Sequence, residues 1–481
     1  MNHYWGHNYN SISSLLGGAV VAGDAGNTAI FYNPATIGDM QEGNNLSLTA
    51  NLLSWNFYDF RNALGDGIDL YDDNFLVQPQ FISYSFKPKK KKLNISFTGL
   101  TRVKEHVEMI YINSEYKDVI TYIPGDEKYN TAYNYRNDYT DSWIGAAISY
   151  NVSERFRFGA SIFGSIASLN YRFEYLAKTE SLIETGDGNN LTRIAEGSYS
   201  ELVKFTDYRL IIKMGVAYKM DNWRLGLTLT TPSWRLFSTG KRAQRLESQV
   251  NISRNGMPAG FSDFNIFSGQ EKGQLQTNFK LPLSIGMGII HDLPNRNQKL
   301  YVSIEFFTPL KGYKMVDAEI NAEITRDDVW DTLTNKDWTS YAYAANPVIN
   351  LAVGYSWTLS EDLIFMNAIR TDFSSINNAD LGNYAKYNTI KTTFYNIYHY
   401  SAGVEFAIKR NRFIAGGDFA FGYQKNVQQI ANFSKPVEYE ERSGRALQGP
   451  IENTMDVYYF GLSVYIGATL NFTKKEAKPK N

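Results

Sequence analysis

Tyr458-Tyr459-Phe460-Gly461-Leu462-Ser463-Val464-Tyr465-Ile466-Gly467-Ala468-Thr469-Leu470-Asn471-Phe472 is the stretch on which the fold turns. Its even positions are all apolar: Tyr, Phe, Leu, Val, Ile, Ala, Leu, Phe. Its odd positions are polar or small: Tyr, Gly, Ser, Tyr, Gly, Thr, Asn. A β-strand sends successive side chains to opposite faces. Such a strand sits either between a protein core and water or between lipid and a polar lumen.

The same period recurs along the chain. Leu46, Leu48, Ala50 and Leu52 alternate with Ser47, Thr49 and Asn51, and Leu93, Ile95 and Phe97 with Asn94, Ser96 and Thr98. Ile144 to Tyr150, Phe156 to Ile162, 208–218, 223–229, 281–289, 300–306, 349–357, 398–408 and 413–423 repeat it. Residues 75–87 alternate only in their second half (Ile82, Tyr84, Phe86), and 361–373 lack a consistent apolar face. With those two, the count is fourteen, an even number as a single-chain outer-membrane barrel requires.

The connections separate the two settings. Segments 87–92, 151–154, 220–222, 292–298, 359–362 and 409–412 are short turns rich in Pro, Asn, Asp and charge. Between them lie long polar stretches at about 58–74, 104–141, 175–207, 232–280, 311–348, 371–397 and 425–456. Short and long alternate strictly, as in an up-and-down barrel with tight periplasmic turns and long outer loops. Seven long loops would be anomalous in a compact soluble domain, and no blade-length repeat supports a propeller. The expected fold is a closed antiparallel transmembrane β-barrel of about 14 strands, with both termini periplasmic.

Composition agrees. The chain has 481 residues, which alone would suggest about three domains, but closed barrels exceed that prior. Tyr (34), Phe (29) and Gly (37) suit strands with interfacial aromatics and small inward residues. A formal net charge of −1 lacks the basic footprint of a nucleic-acid binder. Without cysteine there is no disulfide, thiol nucleophile or Cys metal site. No window holds the roughly 18 uninterrupted apolar residues of a membrane helix. No basic-then-apolar leader comes after Met1. That fits a cytosolic chain or a mature exported one, and the alternation favours the second.

Residues 1–43 do not read as strand. Ser11-Ile12-Ser13-Ser14-Leu15-Leu16-Gly17-Gly18-Ala19 and Gly23-Asp24-Ala25-Gly26-Asn27 are small and permissive, and Pro34 stiffens the turn in which it sits. A flexible terminus would rarely carry Leu15, Leu16, Val20, Val21, Ile30 and Phe31. These residues are expected to form a plug in the lumen of a barrel spanning 44–472, with 473–481 as a periplasmic tail.

The run Gly23-Asp24-Ala25-Gly26-Asn27-Thr28-Ala29-Ile30-Phe31-Tyr32-Asn33-Pro34-Ala35 resembles the N-terminal signature of the FadL family, outer-membrane transporters of long-chain fatty acids and other hydrophobic molecules. Arg224-Leu225-Gly226-Leu227-Thr228 leading into Thr231-Pro232-Ser233, and Leu281-Pro282-Leu283-Ser284-Ile285-Gly286, are also similar to that family. The chain departs from it in the nine residues after Phe472 and in its long loops at 311–348 and 425–456. The resemblance implies capture of a hydrophobic small molecule by outer loops, passage to a lumenal pocket beside the plug, and lateral exit where a kinked third strand faces the Asn33-Pro34-Ala35 turn. A lateral exit suits an apolar ligand, which gains free energy on entering the bilayer.

Gly99 interrupts the third strand and reads equally as its kink or as an ordinary close approach. Trp234, Phe237, Phe261, Phe264, Ile266 and Phe267 concentrate in one outer stretch, which fits ligand capture or self-packing. Arg235, Lys241 and Arg242 beside them suit a carboxylate head group, lipopolysaccharide phosphates, or plain solvation. Arg209, Lys213, Glu305, Glu405 and Asp418 fall on inward positions, the default polarity of a lumen.

The five histidines show no metal-ligand spacing, and no Gly-x-Ser-x-Gly elbow, phosphate loop or dinucleotide fingerprint appears. The reading is of a non-enzymatic protein without a cofactor, bathed in outer-membrane lipid and lipopolysaccharide. The alternative is an accessory or structural barrel in a larger outer-membrane complex, such as a type IX secretion assembly, where long loops and the basic tail would meet a protein partner.

Overall fold

The computed structural model describes residues 1–5, 11–40, 42–88, 92–120, 122–184, 190–254, 258–260, 263–293, 297–319, 335–392 and 394–472. Fourteen antiparallel strands form the wall. They are β1 (Gly43–Arg61), β2 (Leu70–Lys87), β3 (Leu93–Lys117), β4 (Glu127–Asn151), β5 (Phe156–Glu184), β6 (Asn190–Lys219) and β7 (Trp223–Thr230). They continue with β8 (Ser284–Leu293), β9 (Gln298–Phe307), β10 (Val348–Ser360), β11 (Leu363–Asp372), β12 (Ile397–Ile408), β13 (Asn411–Val427) and β14 (Met455–Asn471). Each pairs with its sequence neighbour, and β14 closes on β1 through Leu46↔Leu470, Leu48↔Ala468 and Trp55↔Leu462. Closure leaves no sheet edge at the join, which a spanning sheet in lipid requires.

The opening stretch lies in β14 as its pattern requires. Ile466 is 45% exposed on the outer face, whereas its neighbour Tyr465 is 3% exposed and turned inward. The charges expected inside are inside: Arg209, Lys213 and Glu405 are buried.

The outer half differs from the sequence expectation. Stretches 104–141 and 175–207 are largely strand. β3 continues to Lys117 and pairs with β4 up to Lys117↔Glu127, and β5 and β6 pair as far as Glu184↔Asn190. Beyond the membrane the outward positions meet water, so the continuous lipid-facing apolar set gives way to a mixed one. Alternation survives as Tyr129, Tyr133, Tyr135 and Tyr139 inside against Asn130, Asn134 and Arg136 outside. A ribbon, Trp234–Val250 with Phe264–Glu271, pairs with the upper half of β6 and extends this wall.

A cap covers the outer end. Its four-stranded sheet joins Leu275–Thr277, Leu310–Ala318, Tyr341–Ala345 and Asn388–Thr389, and a hairpin pairs Val437–Glu440 with Arg445–Gln448. The cap and the tall wall share a core that includes Tyr129, Phe173, Phe205, Phe279 and Tyr341.

The N-terminal segment packs in the lower lumen as short helical turns: Ser11–Leu15, Gly26–Thr28, Ala29–Tyr32 and Pro34–Asp39. Leu15, Leu16, Val20, Ile30 and Ile37 are fully buried, each contributing about 2 kcal/mol of apolar burial. A floor of ion pairs fixes it to the wall: Asp24 to Arg224 at 2.6 Å and to Lys299 at 2.8 Å, and Asp39 to Arg157. The tail after Phe472 lies outside the described residues.

Candidate functional site

Asn33 precedes a proline and is therefore extended (φ −152°, ψ 103°). Its side chain caps the turn Pro34–Asp39 by accepting from the Ala35 N–H at 3.1 Å. Its amide nitrogen donates to the carbonyls of Val21 (2.7 Å) and Val216 (3.1 Å), the second on β6. Ser149 Oγ on β4 donates to the Ala35 carbonyl at 3.0 Å. A Cβ on Gly159 of β5 would lie 2.5 Å from the Pro34 carbonyl carbon, so glycine is required for this approach. The Asn-Pro-Ala turn is thus seated against β4, β5 and β6.

Above the plug is a small pocket of about 60 Å³, lined by Tyr4, Phe31, Trp143 and Phe307 with Lys213 and Glu305. The Lys213 ammonium lies 4.9 Å from the Phe31 ring centre. A second, polar chamber of about 100 Å³ touches His3, Gln80, Glu105, His399 and Tyr459. Near the outer end a vestibule of about 680 Å³ is lined by Phe60, Met109, Tyr133, Tyr135, Ile430 and Met455, with Lys391 and Arg445 at its side.

The wall is irregular at one level across three adjacent strands. Consecutive residues on one face mark a bulge. In β2, Gln80 and Phe81 are both 4% exposed, and the β1–β2 register passes from Thr49↔Phe81 to Ala50↔Pro79. In β3, Arg102 and Val103 are both buried, with a register shift between Thr101 and Val103. In β1, the register with β14 skips Leu52. The β2–β3 ladder ends at Phe81↔Leu100. Higher up, the Asn74 amide donates to the His106 carbonyl at 2.8 Å, and the Glu108 N–H donates to Asp72 at 3.2 Å. Between these limits, among the described residues, no ladder pair joins residues 75–80 to 101–105. The outcome is a gap in the backbone pairing of β2 and β3, a window in the hydrogen-bonded ladder. Pro79 brings no N–H to it.

Buried charge holds the bulge. Arg102 Nε donates to Asp141 at 2.9 Å and its Nη1 to the Tyr4 carbonyl at 2.8 Å. Asp141 also pairs with Arg209 at 2.9 Å and accepts from Ser165 Oγ at 2.6 Å. Outside, below the window, the apolar face is indented by a concavity of about 880 Å³, lined by Leu48, Ile82, Gly99, Ile144, Phe413 and Ile466. It reaches Phe81, Leu100 and Trp143 of the lumenal core.

Gly99 itself sits in regular register, opposite Ile82 on one side and Ile144 on the other. The irregularity is three residues further on, at Arg102. A Cβ at Gly99 would meet only Ile82 Cγ2, at 3.5 Å, so the glycine faces open space in the concavity.

The ribbon residues do not converge on one pocket. Trp234, Phe237 and Phe267 are exposed, Phe237 stacking on Tyr208 at 4.3 Å. Phe264 is buried with Ile266 and Trp338, and Arg235 Nε donates to Ser238 Oγ at 3.2 Å. Phe261 lies outside the described residues. The window residues Gln80 and Arg102 escaped the sequence reading. Their signal is a slip of alternation phase within one strand. Phe75 and Val77 are outward on odd positions and Ile82, Tyr84 and Phe86 on even ones, which read as a weak strand.

No protein-family model and no curated protein sequence matches this chain. Solved structures do match its fold. The toluene transporter TodX of P. putida is 13% identical, covering 98% of this chain and 100% of that one, with a TM-score of 0.57. A Pseudomonas aeruginosa FadL homologue is 12% identical over 93% and 94% of the two chains, at 0.53. The Ralstonia pickettii toluene transporter TbuX is 14% identical over 98% and 99%, at 0.52.

Proposed function

We propose that this chain, which has the fold of the FadL-type transporters, lies in the outer membrane and carries hydrophobic small molecules across it. The observation that carries this reading is the wall window. Three strands slip register at one level, their ladder stops, and the gap lies between a lumenal chamber and an apolar concavity open to lipid. A molecule leaving there passes from a lumen with polar walls into hydrocarbon, a downhill step of about 25 cal/mol per Å² of apolar surface.

In this reading the outer vestibule captures the ligand. Its apolar floor fits a hydrocarbon chain or ring, and Lys391 and Arg445 suit a fatty-acid-like carboxylate. The chamber at His3 and Gln80 leads it to the window, and the Gly99 concavity receives it outside. The exposed Trp234, Phe237 and Phe267, with Arg235, serve as contacts to lipid and lipopolysaccharide at the outer leaflet.

Gly99→Trp tests the route. The indole would occupy the external concavity without meeting wall backbone, so uptake of a labelled hydrocarbon should fall at least about tenfold with the barrel intact on heat-modifiability gels. Unchanged uptake sinks the lateral route.

One observation favours a protein partner as well. Ile110, Ile112 and Tyr116 are exposed on the outward face of the tall wall, above the lipid belt. Recovery of a stoichiometric partner from solubilised membranes, lost in Ile112→Ser, would establish it. Recovery of the barrel alone removes it.

A further inference from the structure

Gln80 is the residue common to both sides of the window: it lines the polar lumenal chamber and the external apolar concavity. It is also the extra residue of the β2 bulge, turned inward beside Phe81. Its side chain is 4% exposed, yet its amide oxygen has no hydrogen-bond partner. A buried amide oxygen without a donor is costly, and native structures rarely keep one without a use. It is not alone in the chamber, where His3 Nε2 and His399 Nε2 also lack a partner. Asn74 on the same strand is fully engaged with Asp72, Asn56 and His106, and Arg102 across the window is held by Asp141 and Tyr4.

A bulge is the device by which a strand re-aims one side chain. Without the slip, position 80 would face lipid, because Ile82, Tyr84 and Phe86 below it do. The slip turns a hydrogen-bonding group into the threshold of the proposed exit, between the chamber and the concavity. A ligand passing this point can supply a donor to its oxygen. A pure hydrocarbon brings none, and an ionised carboxylate brings only acceptors. An apolar molecule with one hydroxyl brings a donor and still fits the apolar concavity beyond.

We propose that Gln80 is a specificity-determining residue at the wall window, favouring apolar ligands that carry a hydroxyl group over the corresponding hydrocarbons. The inference rests on the lateral route proposed above and goes beyond it by assigning the chemical class selected at its narrowest point. A site that hydrogen-bonds a ligand hydroxyl discriminates against the analogue lacking it because its own polar group is then left unpaired.

The test compares p-cresol with toluene, which share ring and methyl and differ by the hydroxyl. Uptake of each is measured in cells presenting the parent barrel, Gln80→Leu or Gln80→Met, with heat-modifiability confirming folded barrels. The parent should favour p-cresol. Both variants should lower p-cresol uptake about fivefold, the worth of one neutral hydrogen bond, and leave toluene within twofold. An unchanged p-cresol-to-toluene ratio in both variants overturns the role of Gln80. So does an equal fall of both solutes, which would mean that position 80 acts by shape. Neither result touches the lateral route, which stands or falls with Gly99→Trp.

Discussion

Asn33 is where one side chain ties the plug to itself and to the wall, so its removal has a calculable consequence. Asn33→Ala deletes three hydrogen bonds: to Val21 O, to Val216 O, and from Ala35 N–H. The site is fully buried, so water cannot replace them. At about 1 kcal/mol each, the plug should lose about 3 kcal/mol of local stability. Every 1.4 kcal/mol is tenfold, so opening of the turn should become about 100-fold more frequent. Hydrogen exchange of backbone amides in 28–38 reads this directly, because local opening sets the exchange rate. Planar-bilayer conductance gives a second readout, since a loosened plug opens the lumen to ions. Asn33→Asp sharpens the logic. It keeps the oxygen that caps Ala35 but sets the other carboxylate oxygen against two carbonyls, so it should be at least as damaging as alanine. If exchange in 28–38 stays within threefold of the parent in Asn33→Ala, the reasoning that this side chain pins the plug is wrong.

Three further outcomes concern other parts of the molecule. Ile466→Arg, on the lipid face of β14, should cost about 2–4 kcal/mol and depress assembly, whereas Ser463→Arg, whose hydroxyl meets Ser54 inside at 3.2 Å, should assemble; equal yields would refute the face assignment. Asp141→Asn leaves the buried Arg102 and Arg209 without their counter-charge, a loss of about 3–5 kcal/mol, seen as an earlier melting transition by circular dichroism. In the cap, burial disfavours the ionised Asp337, but the Lys386 and Lys314 ammoniums, both near 3 Å, hold its pKa below the ordinary carboxylate value. Because that pKa is depressed on folding, the clasp is at full strength above about pH 4 and weakens as pH falls through the depressed value; limited proteolysis at 335–345 should accelerate on acidification in the parent, and the acceleration should be absent in Asp337→Asn.

Strand number, and the facing of all but the strands at 75–87 and 361–373, were legible in the sequence. In the lipid belt outward positions are mostly apolar and inward ones mostly polar or small, so a purely local period of two reports the tertiary environment. Ile466, Tyr465 and the inward Arg209 and Lys213 could be placed for that reason. Above the membrane both faces meet water or cap, the local code loses its outer letter, and strands such as 104–117 and 127–141 pass for loops. The seat of Asn33-Pro34-Ala35 against β4, β5 and β6 needed the structure, because a close approach is a relation between residues more than a hundred positions apart, such as Ala35 and Ser149. The window needed it most. Gln80, Arg102 and Leu52 are ordinary residues in the sequence. Only the alignment of three strands shows that their bulges fall at one level and that the ladder between β2 and β3 ends there, because register belongs to a pair of strands and not to either alone.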